Sequence, residues 1–411
     1  MPSTGSLSVA NIRLANTAFS KTFFPRAMRA YWPRLCGTTR SSSIYEPFAF
    51  LGAAPILKYF NGQVASRPIQ SWSMKVPNPA WKNLDVIKRN TFEFDQTFSL
   101  PGRVGQHGIR VAQLTDYLLA NVILKGSTAG SQNFTNFDDG VTYTMTFDGQ
   151  PLYGSHTITT PGGTTTFNNI LTSAIPNTVA AVDAQDLTVT ANQLQLAVSL
   201  AVKYFATLTD DSGALLYPDL DPARQLIVIV LPALWAGAEL AFRTQGTLGG
   251  SNGSSSGSTT NIGYKMVKDV ISWSLLQNCP DMVSGSPGAM LSPPNPTSFW
   301  IAVDGDYIKP YYFQRFMPLR PGQSIPLGED PMAQAEAIVK ALGQSGIDVR
   351  LEDAEVYAAT EVDSNLGALG ANSQPSVAIR EEFFISSRSR QMVYPGPWMA
   401  SVQVDPTGTS N

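Results

Sequence analysis

The chain has 411 residues, 43% of them hydrophobic but only 14% charged, and a net charge of −3. That length and apolar content allow a large core and more than one subdomain, while the charged fraction falls well below the roughly 25% of an average soluble protein. The slightly acidic balance excludes a globally basic nucleic-acid binder, and two cysteines, Cys36 and Cys279, exclude a disulfide framework or a cysteine-based metal site.

With so few ionised groups to cover an isolated monomer, much of the surface is expected to lie against neighbours. Sparse charge fits an extracellular β-rich protein as well. The cysteine count favours a reduced, cytoplasmic folding compartment.

No Asp or Glu occurs from Met1 to Tyr45, yet Arg13, Lys21, Arg26, Arg29, Arg34 and Arg40 all fall there. With Phe19, Phe23, Phe24, Tyr31 and Trp32 between them, these residues read as a basic arm. It can dock on an apolar partner and keep its cations for phosphates or acidic neighbours. An N-terminal segment packed on its own domain accounts for the same residues. Arg13 and Lys21 interrupt any apolar signal core, and no stretch reaches the roughly 18 apolar residues of a membrane span. Neither standard export nor membrane embedding is expected.

Scattered Pro and Gly predict short strands and loops with few helices. Glu46 to Gln63 predicts a short buried helix interrupted by Pro55. Gln70 to Phe98 predicts a long β-hairpin: Trp72, Met74 and Val76 alternate before Pro77-Asn78-Pro79, and Phe92 and Phe94 alternate after it. Its mixed charges and two tryptophans suit a projecting loop across another subunit, with Trp72, Lys75, Trp81, Lys82, Lys88 and Arg89 as the expected contacts.

Val111, Leu114, Leu118 and Val122 stand three and four residues apart and predict a helix from about Val104 to Lys125, closed by Gly126 at C′. A Thr-, Asn- and Gly-rich β region follows from Val141 to Thr166. The second half reads as a separate α/β domain. Thr190 caps a helix with Leu194, Val198, Ala201 and Phe205 on one face. Leu226 to Leu231 is a continuous apolar run suited to a buried strand, and Pro232 opens the next helix. Gly249 to Thr260 is a Gly/Ser excursion without core residues. Strands are predicted at Asp269 to Leu276, Phe299 to Val303, Tyr307 to Phe316, Asp348 to Thr360 and Ala378 to Ser386, with a helix at Met332 to Leu342.

Chemistry is sparse. His107 and His156 are the two histidines, and neither has a ligand-like neighbour at helical or strand spacing. Gly253-Ser254-Ser255-Ser256-Gly257 matches a nucleophile-elbow pattern but lacks the strand that must deliver the serine. Asp138-Asp139, Asp210-Asp211 and Asp304-Gly305-Asp306 stand beside Gly or Ser, where Asp favours turns. No phosphate loop, dinucleotide fingerprint or zinc spacing occurs. No catalytic, cofactor-binding or metal residue is predicted, and no cofactor.

The order of features resembles the major capsid proteins of tailed phages of the Hong Kong 97 type, and within them the Mu-like major head subunit (gpT-like) family. The resemblance is carried by SMKVPNPAWKNLDVIKRNTFEFD, TYTMTFDGQPLYGSHTI, ARQLIVIVLPALWAGAELAFRT, FWIAVDGDYIKPYYFQRF, with its Lys309-Pro310-Tyr311-Tyr312-Phe313-Gln314, and EEFFISSRSRQMVYPGPWMASV. It implies an α+β fold: an N-terminal arm (1–60), an extended β-hairpin loop (61–100), a peripheral domain with a spine helix (101–188), an axial α/β domain (189–345) and C-terminal strands returning to both (346–411). It also implies self-assembly into hexamers and pentamers of an icosahedral shell around double-stranded DNA. Folding and assembly would take place in the bacterial cytoplasm, with scaffold, portal and decoration proteins as candidate partners and only non-specific DNA contact. Some relatives link a loop lysine to an asparagine of the neighbour. Lys75, Lys82 and Lys88 lie in that loop, but solvated lysines explain them, and no cross-link is expected. The rival readings are a tail-tube or receptor-binding β protein, and a hydrolase using Ser255 with His107 or His156.

Overall fold

The computed structural model describes residues 18, 21–41, 43, 45–51, 71–88, 99–130, 133–136, 139–160, 163–245, 247–248, 259–261, 263–283, 288–305, 308–316, 348–353 and 382–406. Within them the run Leu226–Val230 is a strand with every residue buried. It pairs in parallel with Asp269–Ser272 and antiparallel with Phe299–Val303, itself buried throughout. Ser401–Pro406 and Ile170–Ser173 complete this five-stranded sheet. Apolar runs without alternation suit strands covered on both faces. The sheet therefore reaches beyond 189–345, drawing one strand from before that range and one from after it.

The helix Leu187–Thr207 places Leu194, Val198, Ala201 and Phe205 in the main hydrophobic cluster, all fully buried. Its cap is Asp186, whose carboxylate accepts from the Thr188 N–H at 2.9 Å, and not the expected Thr190, which is buried in the helix. Both residue types cap well, so packing decides between them. Pro232 opens a short 3-10 turn that leads into the helix Trp235–Phe242.

A two-stranded ladder and the second five-stranded sheet overturn two expectations. Residues 46–51 belong to the strand Tyr45–Leu51, not to a helix, and this strand pairs with Ser71–Pro77 in a separate two-stranded sheet; residues 52–63 of the expected helix lie outside the described residues. Within the hairpin expected over Gln70 to Phe98, the described strands Ser71–Pro77 and Ala80–Lys88 do not pair with each other. Ala80–Lys88 pairs instead with Glu382–Arg390 of the 14-residue strand Glu382–Pro395. A two-residue hairpin turn wants positive φ at its centre, which proline cannot adopt. Asn78 is also fully occupied elsewhere: its amide donates to Ser41 Oγ and to the Ser43 carbonyl, and its oxygen accepts from Gln314 Nε2 at 2.9 Å. The segment is thus split between two partners. Glu382–Pro395 further pairs with Tyr311–Arg315, which lies parallel to Cys36–Ser41, and with Asp348–Asp353 on its other side.

The long helix runs Ser99–Leu124, about 39 Å at 1.5 Å per residue. Leu118, Leu119, Ala120, Ile123 and Leu124 enter the main cluster. Gly126 follows it but is not a left-handed cap; a Cβ there would stand 2.4 Å from Tyr153 Cδ2. Glycine is required because the Tyr153 ring, buried and bonded through its hydroxyl to Tyr311 at 2.7 Å, closes over the helix end. In the β region, Tyr143 and Met145 are buried as the alternation predicts, though the strand itself is only Thr142–Thr144. The expected helix at Met332 to Leu342 and the Gly/Ser tract up to residue 258 lie outside the described residues.

Candidate functional site

His156 has the beginnings of a catalytic dyad, since its Nδ1 lies 2.6 Å from Asp148 Oδ2. The pair is structural in its geometry. Nε2, where a nucleophile would have to sit, lies 3.2 Å from the Leu152 carbonyl, and the ring is 1% exposed and stacked 4.3 Å from Trp398. His156 falls in the strand Ser155–Thr160, not in a turn. His107 is buried in the long helix. Ser255 and its Gly-x-Ser-x-Gly match lie outside the described residues. Cys36 and Cys279 are free and buried, and burial pushes both thiols up, away from the thiolate a nucleophile needs.

Of the acidic pairs, Asp139 and Asp210 act locally, and Asp138 and Asp306 lie outside the described residues. Asp139 accepts from the Val141 N–H at 2.9 Å, and Asp210 from the N–H groups of Ser212 and Ala214 at 2.8 and 3.0 Å, as turn aspartates do. Asp304 departs from that expectation: it is an ion-pair hub between Lys268 and Lys309. Burial opposes its charge, but the two ammonium hydrogen bonds outweigh burial and hold the carboxyl below its usual range. Among the described residues no group of His, Cys, Asp and Glu could hold a metal, and no helix is long and apolar enough to cross a membrane. A cavity of about 40 Å³ between Asn121, Met145 and Val393 has room for only a few waters.

Lys75 is exposed, with its ammonium 5.3 Å from the Tyr45 ring centroid. Trp81 is not the exposed aromatic expected: it is half-buried against the main cluster, and its Nε1–H donates to the Gln391 carbonyl at 2.7 Å. The backbones of Trp72, Lys82 and Lys88 lie opposite Phe50, Arg388 and Glu382 in strand register. Arg89 lies outside the described residues.

Over residues 21–41 the basic segment packs on its own chain through its apolar residues. Phe23, Ala27, Ala30, Trp32 and Leu35 are buried. Asp116 Oδ1 on the long helix accepts from the N–H groups of Tyr31 and Trp32 at 3.1 and 3.2 Å. Burial lifts this carboxyl to about 6, against the pull of those two N–H groups and of Arg26. Arg34 meets Asp269 at 3.3 Å, and Arg243 holds the other oxygen of that carboxylate at 2.7 Å. Lys21, Arg29 and Arg40 are exposed, Arg26 half-buried, and Arg13 lies outside the described residues. Two further exposed cations, Arg103 and Arg110, stand on the long helix beside this segment. The signal that could have found them is the lack of any Asp or Glu from Gln96 to Thr115.

Aliphatic surface also stands out. Val189, Leu196 and Leu200 on the helix Leu187–Thr207 are 43%, 56% and 40% exposed, and Lys203 is the one ionised side chain among the 21 residues of that helix.

Residues 10–169 match the family model described as the Mu-like prophage major head subunit gpT. This range contains the first two of the five segments that carry the resemblance, together with the basic segment and the long helix. No curated protein matches the chain. Solved structures similar to it include the asymmetric unit of the bacteriophage PhiM1 mature capsid, at 11% identity and TM-score 0.48, covering 92% of this chain and 88% of that one. The capsid of cyanophage P-SCSP1u matches at 12% identity and TM-score 0.48, covering 91% and 87%. The procapsid of bacteriophage JBD30 matches at 12% identity and TM-score 0.38, covering 98% and 78%.

Proposed function

We propose that this chain is a phage major head subunit of the Mu-like gpT type, whose work is to build a shell from copies of itself. The observation that carries the reading is the family match over residues 10–169, the stretch that holds the basic segment, the split strand pair and the long helix. The role is structural and not catalytic. The one His–Asp pair among the described contacts has no ring nitrogen open to a substrate.

The finer reading is a Hong Kong 97-type arrangement, with an arm up to about residue 60, an extended loop over 61–100, a peripheral domain on the long helix, an axial domain over 189–345 and returning C-terminal strands. Hexamers and pentamers of this unit close an icosahedral shell around double-stranded DNA, after folding in the host cytoplasm. The exposed aliphatic stripe of the Leu187–Thr207 helix supports burial against neighbours, because soluble monomers seldom leave contiguous apolar surface open. Contacts of about 1,600 Å² each, repeated around closed rings, convert modest pairwise affinities into a stable shell.

Negative-stain imaging of the purified full chain tests the reading. Closed shells, or free rings of five and six, are expected; rods or discrete trimers would instead indicate a tail or receptor-binding component. A chain that stays monomeric at every concentration and in infected-cell lysates ends the proposal.

A further inference from the structure

We propose that the N-terminal helical segment and the outer stripe of the long helix form one composite basic face, which takes the phosphodiester backbone of duplex DNA. The choice of DNA as the polyanion rests on the head-subunit reading; the face itself rests on geometry.

Residues 21–27 are helical, and their Phe23 and Ala27 are buried against Ala112. The approach is tightest at Gly105, where a Cβ would stand 3.1 Å from Thr22 Cγ2, and Thr22 Oγ1 donates to the Gly105 carbonyl at 2.8 Å. Docked in this way, the segment leaves Lys21 and Arg29 exposed. On the long helix, exposed Arg103, Gln106 and Arg110 stand three and four residues apart, hence on one stripe. Arg26 bridges the seam. In the orientation that satisfies its partners, the Gln113 amide oxygen accepts from Arg26 Nη2 at 2.9 Å. Burial raises the Tyr117 hydroxyl, and the charges of Arg26 and Arg110 both pull it back, so both cations lie within Coulombic reach of one phenol.

Carboxylates are missing from both contributing stretches, Met1 to Tyr45 and Gln96 to Thr115. Asp116, next along the helix, is 3% exposed and engaged with two backbone N–H groups. Arg103 and Arg110 are about 10 Å apart along the axis, close to the Debye length of about 8 Å at physiological salt, so their fields overlap. Four of the five cations are arginines, whose planar fork suits phosphate oxygens. Exposed Met28 and Ile109 stand beside them, which makes an acidic protein surface the rival to be separated from DNA.

The test measures binding of the full-length soluble subunit to a short mixed-sequence duplex across a salt series. Wild type should bind without sequence preference, with log affinity falling linearly in log salt. Arg103→Gln with Arg110→Gln should flatten the slope by about 2 and weaken binding about tenfold at physiological salt, whereas Arg110→Lys should retain it. Urea unfolding checks that the double variant folds; if it does not, Lys21→Gln with Arg29→Gln carries the same expected slope change. An unchanged slope in a folded double variant overturns the proposal. Sodium polyglutamate displacing DNA at equal charge concentration also overturns it, in favour of an acidic protein partner. Imaging separates the two readings: a wild type that binds DNA through this face yet never forms rings or shells sinks the head-subunit reading alone. Normal shells with DNA affinity insensitive to these arginines sink the face alone.

Discussion

Replacing Asp116 by Asn should stabilise the subunit at neutral pH, and the gain should disappear in acid. Asp116 is buried in the long helix, with its carboxyl lifted to about 6, while an unfolded aspartate titrates near 3.9. The folded state therefore holds its proton more tightly than the unfolded chain does. The stability from this group is complete at low pH, declines as pH rises from about 4 to 6, and stays flat above that. The gap between about 6 folded and 3.9 unfolded corresponds to about 3 kcal/mol lost in all by pH 7, most of it above pH 4. The amide introduced by Asp116→Asn would keep an oxygen toward the N–H groups of Tyr31 and Trp32 without the buried charge, so it mimics the protonated acid. Urea unfolding of the unassembled subunit at a series of pH values should show the variant's advantage growing from near zero at pH 4 to as much as about 3 kcal/mol at pH 7. Parallel pH profiles for the two proteins would refute the titration. A variant less stable at pH 7 would show that Arg26 and the two N–H groups more than offset the cost of burial. Asp116→Ala separates packing from charge, since it leaves both N–H groups unpaired at a cost of about 1–3 kcal/mol each.

Trp81→Phe should cost about 1 kcal/mol in urea unfolding through the lost bond to the Gln391 carbonyl, and shells should still close; failed assembly in a stably folded variant would return Trp81 to the subunit interface. Gly126→Ala should cost about 1–3 kcal/mol by forcing the Tyr153 ring aside, and an unchanged midpoint would mean the helix end yields freely. Asp304→Asn should destabilise at neutral pH, because a carboxyl held below its usual range contributes fully above the unfolded value near 3.9. That difference should close as pH falls through the depressed folded value, and one that persists in acid would trace the loss to packing instead of charge.

Local periodicity and composition by themselves determined the elements that depend on neighbours along the chain. Spacings of three and four announced the long helix and the buried face of Leu194, Val198, Ala201 and Phe205. The unbroken LIVIV run announced a strand covered on both sides, and Pro232 announced a helix start. The lack of carboxylates before Glu46 marked the basic segment. Tertiary structure alone decided which strand meets which. A period of two assigns side chains to faces but names no partner, so Ser71–Pro77 and Ala80–Lys88 read as a hairpin until Asn78 and its flanking prolines sent them apart. The same holds for Asp186 over Thr190 as cap, for Gly126 as a seat for the Tyr153 ring, and for the cations. Arg26 and Arg110 are 84 positions apart in the chain, the difference of their residue numbers, and only the packing of Phe23 and Ala27 on Ala112 makes them neighbours. Contacts across such separations are chosen by the burial and hydrogen bonding of the whole molecule, which no short window of sequence contains.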